Sequence, residues 1–195
     1  MTTDAQANEV LDYWFGPKDG PEAGKMRKLW FQGGKAADDE ITARFGELHA
    51  RACAGELDAW QDDPQSCLAL VIVLDQFSRN IHRGTADAFA ADAKALSVAK
   101  TIIVNAWDND FEPLQRWFVY LPFEHSENVG DQQRAIALLS SLPEDENRKI
   151  AVDYAQQHLD VIAKFGRFPH RNEILGREST PEETKWLAEG GARFG

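Results

Sequence analysis

The segment Leu68 to Leu74 is an uninterrupted apolar run in which three β-branched residues, Val71 to Val73, follow one another. Such a run suits either a buried strand or a buried helix, and periodicity alone does not separate the two. The sequence contains no second strand-like run, and an isolated strand leaves its backbone hydrogen-bonding groups without partners. We therefore predict a buried helix here, extending to about Phe77 or beyond.

Apolar residues recur at helical spacing along most of the remaining chain. Neither a hairpin signal nor a βαβ pattern interrupts them. The sequence therefore predicts an all-α protein of eight or so helices, in one domain covering residues 1–195. The predicted helices span Ala5 to Phe15, a short turn from Met26 to Trp30, Ala36 to Leu57, Glu112 to Leu121, Asp131 to Leu142 and Glu144 to Phe165, with others after Asp63, Thr85 and Thr180.

Three of these helices have start signals in the sequence. Asp63 precedes Pro64, the order of an N-cap residue and a proline at the first helical position. Thr180 is followed by Pro181 and, three residues after the cap, by Glu183, which predicts a capping box. Thr85 is expected to cap a helix as well. The residues expected on the buried face of that helix are Phe89, Ala93, Leu96 and Ile103.

The charge of the chain excludes several classes of partner. With 32 acidic and 21 basic side chains, its formal net charge is −11. A surface this acidic repels phosphate groups at long range, so neither nucleic acid nor an anionic membrane is an expected partner. Hydrophobic residues make up 43% of the chain, enough for a sizeable core. The longest apolar run is far shorter than the roughly 18 residues of a membrane-spanning helix.

The two cysteines, Cys53 and Cys67, stand outside any CxxC or zinc-type spacing. Two thiols cannot form the disulfide framework of a domain this large, which favours a reducing compartment. The N-terminus lacks the basic and apolar regions of a signal peptide. We therefore expect a cytoplasmic protein, and the sequence gives no signal for its oligomeric state.

The segment Asp75 to Gly84 is the first of three polar segments where function could reside. If it continues the preceding helix, Asp75 and Arg79 lie four residues apart and pair on one face. Arg79 and Arg83 are also four apart, and two stacked guanidinium groups repel each other unless an anion or a carboxylate lies between them. The alternative is a helix C-terminus, where the helix dipole favours cations.

The second polar segment follows Pro122, which is expected to end or bend an aromatic-rich helix. Glu124, His125 and Glu127 then surround an irregular joint, where a carboxylate beside an imidazole suits proton transfer or metal binding. No HExxH motif is present. The alternative is that Ser126 caps the next helix, with the two glutamates near its positive end.

The third polar segment, Phe165 to Arg177, has three arginines and one histidine against a single acidic residue. In a chain of net charge −11, this local excess of positive charge predicts an anion site, with backbone amides beside the two glycines as further donors. The alternative is that Arg167, Arg171 and Arg177 pair with carboxylates elsewhere and pin the loop to the helical body.

No P-loop, GxGxxG, GxSxG or zinc motif is present, so we assign no cofactor and no metal. His49 is expected at the solvent edge of its helix. His158 is expected to be a hydrogen-bonded core or groove residue rather than a ligand. The segments near Ala88 and Tyr154 weakly echo the second helix of a tetratricopeptide unit, without its full signature.

Several stretches together carry a family resemblance: Val10 to Phe15, Trp30-Phe31, Leu74 to Asn80 with Arg83-Gly84, Leu121 to Glu127, and Phe165 to Asn172 with Leu175 to Arg177. In these stretches the chain resembles DUF924, a bacterial family of unknown function. The resemblance spans nearly the whole chain and implies a tetratricopeptide-like array of antiparallel helix pairs, with no established activity. Ser78 stands where we expect proline in this family, and the exchange is expected to soften the local bend.

The first of three functional hypotheses is a helical-repeat-like domain in which the three polar segments form one pocket lined by arginine and histidine. This pocket would bind a small molecule through its carboxylate or phosphate. The residues expected to bind it are Asp75, Arg79, Arg83, Glu124, His125, Glu127, Arg167, His170, Arg171 and Asn172.

The other two hypotheses belong to different classes. One is a hydrolase-type enzyme in which His125 or His170 is the general base and Glu124 or Asp75 orients it. No serine stands in a recognisable nucleophile elbow. The other is a scaffold that binds a protein segment, in which the polar segments are internal clamps whose removal unfolds the protein.

Overall fold

A computed structural model of the chain describes residues 3–194. In this range the secondary structure is helical and contains no strand, which confirms the all-α prediction. The α-helices are α1 (Ala5–Phe15), α2 (Lys28–Gln32), α3 (Gly34–Ala54), α4 (Pro64–Val71), α5 (Ser78–Ile81), α6 (Asp92–Val104), α7 (Pro113–Glu124), α8 (Val129–Ser140), α9 (Glu146–Phe165) and α10 (Pro181–Ala188).

Two of the three start signals, at Asp63 and Thr180, act as expected. The Asp63 side chain accepts a hydrogen bond from the backbone N–H of Ser66, with Pro64 at the first helical position of α4. Thr180 and Glu183 form the capping box that begins α10. These contacts satisfy backbone N–H groups that have no partner inside their own helices.

The apolar run is a helix, as predicted, and every residue from Leu68 to Leu74 is fully buried. The helix changes its winding along the run, because α4 passes into a π-helical segment, Ile72–Phe77, before α5 begins. The hydroxyl of Ser78 donates a hydrogen bond to the Leu74 carbonyl at 2.6 Å, directly after this segment. Short π-helical turns inside α-helices are frequent at functional sites.

The helix expected after Thr85 begins later than predicted. A 3-10 turn, Ala86–Phe89, comes first, and α6 starts at Asp92. The change of winding shifts the register, so Ala93, Leu96 and Ile103 do not form the buried face. The residues that α6 buries are Ala95, Val98, Ala99 and Ile102.

The chain divides into two compact units. Unit 1 contains the described residues up to Arg83 and Asp87–Pro122, and unit 2 contains Gly84–Ala86 and the residues from Phe123 onward. The single-domain organisation and the tetratricopeptide-like arrangement stay predictions. Within residues 3–194, no helix has the length and apolar character needed to cross a membrane.

Each unit has its own aromatic packing. In unit 1, Phe118 lies with its ring centroid 4.8 Å from that of Trp30 and 5.5 Å from that of Trp14. In unit 2, Val161, Ile162 and Phe168 form a small buried cluster. The apolar side chains packed against that cluster are Phe165, Trp186, Ala192 and Phe194.

Candidate functional site

Asp75 and Arg79 form the ion pair predicted from their spacing. Asp75 is fully buried in the π-helical segment of unit 1, and Arg79 approaches its carboxylate at 3.3 Å. The same guanidinium donates to the Asp75 carbonyl at 2.7 Å and lies 3.1 Å from the carboxylate of Asp92, at the start of α6. Burial alone lowers the pKa of Arg79, but the charges of the two aspartates raise it overall. Arg79 is therefore engaged by two carboxylates.

Arg83 was expected to lie one helical turn after Arg79, but α5 ends at Ile81 and Arg83 lies in the following turn. Its guanidinium forms a two-point pair with Asp38 of α3, with N–O distances of 2.7 and 2.9 Å. Asn80 donates to the same carboxylate at 2.8 Å. The Arg83 hydrogen bonds lower the pKa of Asp38. Each of the two guanidinium groups is therefore paired with carboxylates of its own.

The joint after α7 differs in detail from its prediction. The helix continues for two residues beyond Pro122 and ends at Glu124. The cap of α8 is Asn128, whose side chain accepts hydrogen bonds from two backbone N–H groups, so the expectation that Ser126 is the cap was wrong. Asn128 directly precedes α8, while Ser126 lies two residues too early and donates to Asp131 at 2.9 Å.

Two arginines of the third polar segment are clamped by glutamates inside unit 2. Arg167 forms a two-point pair with Glu183, at 2.7 and 2.8 Å, and these hydrogen bonds lower the pKa of Glu183 to about 2. Arg177 forms a second two-point pair with Glu127, at 2.7 and 3.0 Å. Burial raises the pKa of Glu127, but the bonds from Arg177 lower it overall. Both pairs match the structural alternative for this loop.

Asn172 joins these two clamps. Its side-chain oxygen accepts a hydrogen bond from Arg177 at 3.0 Å, and its amide nitrogen donates to Glu183 at 3.2 Å. The residue is fully buried. It therefore serves the internal network of the loop.

The remaining predicted residues of unit 2 lie near His158, which was expected to be a hydrogen-bonded core or groove residue and is buried and hydrogen-bonded. We call Glu124, His158, His170, Arg171 and Phe194 the histidine cluster. Nδ1 of His158 lies 3.6 Å from a carboxylate oxygen of Glu124. The Arg171 guanidinium lies over the Phe168 ring at 4.4 Å and donates to the His125 carbonyl at 3.2 Å. Glu124, His158 and Arg171 are each at least 95% buried.

The hydrogen bonding of His158 fixes its tautomer. Nδ1 lies 2.8 Å from the Tyr154 carbonyl oxygen, and a carbonyl only accepts, so Nδ1 is the donor. In the neutral ring Nε2 is then the acceptor. Burial lowers the pKa of His158 to about 3, and the charge of Arg171 acts in the same direction. The ring is therefore neutral at physiological pH.

His170 has a similar environment. Burial and the adjacent Arg171 guanidinium lower the pKa of His170 to about 4. Its ring centroid lies 5.6 Å from that of Phe168 and 5.7 Å from that of Phe194. Two neutral imidazoles and one guanidinium thus share a buried region of unit 2.

A segment after α10 covers the cluster. Gly190 ends the helix with a φ of +86°, and the backbone N–H of Gly191 donates to the Trp186 carbonyl at 2.9 Å, as in a Schellman motif. A Cβ on Gly191 would lie 2.3 Å from the Trp186 ring, so only glycine fits there. The segment continues to Phe194, whose ring lies 3.7 Å from the imidazole of His158.

His49 is not at the solvent edge of α3, as expected, but is buried in unit 1. Its Nε2 lies 2.7 Å from the Ser78 hydroxyl oxygen and 3.5 Å from the Cys53 sulfur. Because Ser78 donates to the Leu74 carbonyl, His49 is the donor in their shared hydrogen bond. Burial lowers the pKa of His49. The sequence could have indicated this position, since His49 follows Phe45 by four residues on the apolar face.

The expected residues thus fall into two groups. Asp75, Arg79 and Arg83 belong to unit 1, and the other seven belong to unit 2. The shared pocket of all three segments stays a prediction. Within residues 3–194, no three histidine, cysteine, aspartate or glutamate side chains form a group able to hold a metal ion.

Comparison with known proteins gives a family but no activity. A family model described as a bacterial protein of unknown function, DUF924, matches residues 10–191. A solved structure of a protein of unknown function from Agrobacterium tumefaciens is 40% identical, with a TM-score of 0.83, and the match covers 97% of this chain and 100% of that one. No curated protein matches the chain. The family match over most of the sequence shows that this chain belongs to the DUF924 family.

Proposed function

We propose that this chain binds a small anionic molecule at the histidine cluster of unit 2, through Arg171, His158 and His170. The ligand is of the class expected from the sequence, but fewer residues are proposed to bind it. We no longer assign ligand binding to Arg79, Arg83 and Arg167, because each of their guanidinium groups is already paired with a carboxylate.

The electrostatics of the cluster support an anion. The Arg171 guanidinium lies 4.4 Å from the centre of the Phe168 ring, and the imidazoles of His158 and His170 lie 5.7 and 5.6 Å from the same ring. The charge of Arg171 adds to burial in lowering the pKa of both histidines. An anion between them would offset this repulsion and favour protonation of the imidazoles. Binding at this site would therefore take up protons and become tighter as the pH falls.

The stacking of Phe194 on His158 is the observation that carries the proposal. The two rings lie 3.7 Å apart and 22° from parallel, and Phe194 also packs against the apolar cluster of Val161, Ile162 and Phe168. If the segment after α10 opens, it leaves a flat surface the size of one aromatic ring beside Arg171. An aromatic carboxylate would stack its ring on His158 and place its carboxylate on the guanidinium.

Benzoate and its uncharged analogue benzamide test this idea on the full chain. We expect benzoate at millimolar concentration to raise the thermal unfolding temperature, since a ligand that binds only the folded state stabilises it. Benzamide is expected to have little effect. The benzoate effect should be larger at pH 6 than at pH 8, and larger in Phe194→Ala than in the parent chain.

Two substitutions locate the binding. Arg171→Lys keeps the positive charge but removes the planar donor fork, and we expect it to reduce the benzoate effect. Arg83→Lys makes the same change in unit 1 and is expected to leave the effect unchanged. Equal stabilisation by benzoate and benzamide, or by benzoate in both arginine variants, would contradict the proposal.

General-base catalysis is a second candidate, favoured by the pairing of Glu124 with His158. The Tyr154 carbonyl holds Nδ1–H, so Nε2 is the nitrogen that can accept a proton. We expect Phe194→Ala to hydrolyse p-nitrophenyl acetate faster than Phe194→Ala combined with His158→Gln. Equal rates in the two variants would exclude His158 as the base.

A further inference from the structure

Unit 1 contains a groove between α1 and α3 that the proposed function does not use. We call it the α1–α3 groove; its charged and phenolic lining residues are Glu9, Asp12, Tyr13, Arg27, Glu40 and Arg44. Its volume is about 710 Å³, within the range of small-molecule sites. Asp12 and Tyr13 belong to the opening stretch that carried the family resemblance, to which no role has yet been assigned.

One of the two arginines in the groove caps a helix. Arg27 donates hydrogen bonds to the carbonyls of Tyr13 and Trp14, in the last turn of α1, the second at 2.8 Å. These carbonyls have no partner within the helix, and a cation at this end also suits the helix dipole. The Arg27 guanidinium therefore has a structural role at the end of α1.

The second arginine is shared between two carboxylates. Arg44 lies 3.2 Å from Glu9 and 3.3 Å from Glu40, and its guanidinium lies over the Tyr13 ring at 4.7 Å. Each of these contacts uses one carboxylate oxygen. The guanidinium thus holds α1 and α3 together and offsets only part of the negative charge around it.

Asp12 carries a negative charge that the two arginines of the groove do not pair with. It lies on α1, three residues after Glu9, is exposed, and makes no ion pair or side-chain hydrogen bond with other residues in the 3–194 range. The hydroxyl oxygen of Tyr13, another lining residue, is shielded from solvent. Burial and the nearby Glu40 raise the pKa of Tyr13. The lining of the groove therefore combines an exposed carboxylate, Asp12, with a neutral phenol beside a second carboxylate, Glu40.

We infer that the α1–α3 groove binds a small organic cation, a molecule with a primary ammonium or guanidinium group. Asp12 would pair with this group at the rim, and the Glu40 carboxylate would accept its second hydrogen bond. The groove has a net negative charge, because its lining contains three carboxylates and only two guanidinium groups, both of which already bind other groups of the chain. The net charge of −11 also attracts cations to the chain as a whole. This site lies in the other unit from the proposed anion site and takes the opposite charge.

n-Butylguanidine is a suitable probe, with butyramide as a neutral analogue and butyrate as an anion of similar size. Titration of the isotope-labelled full chain, followed by NMR, should show backbone shifts in α1 and α3 for butylguanidine alone. We expect Asp12→Asn to weaken this binding about tenfold or more, since a charge-assisted hydrogen bond becomes a neutral one. Tyr13→Phe should weaken it less, because the carboxylates remain.

Asp19→Asn is the matched control, an identical loss of charge at an exposed residue outside the groove. We expect it to leave binding within about twofold, which would show that the general charge of the chain is not the cause. Equal binding by Asp12→Asn and Asp19→Asn would overturn the inference. So would equal shifts with butyramide, or no shift with butylguanidine at tens of millimolar.

Discussion

The rings of His158 and Phe194 are stacked, with their centroids 3.7 Å apart and their planes 22° from parallel. His158 lies in α9, and Phe194 lies in the segment that follows α10. This contact holds that segment over the histidine cluster and excludes water from a buried imidazole. We therefore expect the position of Phe194 to control access to the His158 ring.

Removing the Phe194 ring should expose His158. We expect Phe194→Ala to cost about 1–3 kcal/mol of folding free energy and to raise the pKa of His158 toward its ordinary value, because burial is the main cause of its depression. NMR titration of the imidazole protons measures the pKa. Phe31→Ala is the control, since Phe31 is 60% exposed in unit 1 and should leave the pKa unchanged. An unchanged pKa in Phe194→Ala would contradict this account.

Stability should fall as the pH falls below neutral. The pKa of His158 is lowered from 6.5 to about 3 in the folded chain, so the unfolded chain binds the proton first. The contribution of His158 to the free energy of unfolding is therefore complete above pH 6.5. Between pH 6.5 and 3, this contribution falls by about 1.4 kcal/mol for each pH unit. His170 acts in the same direction, down to about pH 4.

Urea unfolding at pH 7.5, 6 and 5 measures this slope. We expect His158→Gln to be less stable than the parent at pH 7.5, but to lose less stability between pH 7.5 and 5, because glutamine takes up no proton. Parallel pH profiles for the two chains would show that His158 is not buried in its neutral form.

The two arginines of the first polar segment should differ in their effect on stability. Arg79 is 12% exposed, and its removal takes a counter-charge away from the fully buried Asp75. We expect Arg79→Ala to cost roughly 3–5 kcal/mol. Arg83 is 51% exposed, and Arg83→Ala should cost about 1 kcal/mol or less. Chemical unfolding of both variants tests the difference, and equal losses would be inconsistent with the observed burial.

Ser78 stabilises the irregular turn that contains Asp75. Its hydroxyl donates to Leu74 and accepts from His49, so Ser78→Ala leaves two buried polar groups each with one hydrogen bond fewer. We expect a loss of about 1–3 kcal/mol. Ser97→Ala, a substitution on the exposed face of α6, is the control and should be nearly neutral. A neutral effect of Ser78→Ala would indicate that backbone hydrogen bonds alone hold the π-helical segment.

Local chemistry made much of the fold predictable from the sequence. The cap at Asp63, the capping box at Thr180 and the Asp75–Arg79 pair all depend on residues within four positions of each other. The apolar run at Leu68 could be assigned to a helix because no partner strand existed. The prediction of which residues α6 buries was wrong, because a 3-10 turn before Asp92 changes the register of the helix. The spacing of apolar residues in the sequence does not reveal this turn.

The site was harder to predict because its contacts join residues that are distant along the chain. The sequence showed which arginines were in excess but not that Asp38, Asp92 and Glu183 engage three of them. Phe194 carried no motif, and its contact with His158 depends on how the segment after α10 turns at Gly190. Charge counting therefore assigned a ligand-binding role to arginines that the fold already pairs with carboxylates.

The most direct test of the anion site is the NMR titration of His158 with benzoate in the Phe194→Ala variant. We predict that the imidazole signals of His158 and His170 shift together as benzoate is added, that the pKa of His158 rises in the bound state, and that benzamide produces neither change. Shifts confined to His49 and His82 in unit 1, or no shift at a benzoate concentration of tens of millimolar, would contradict the proposed site.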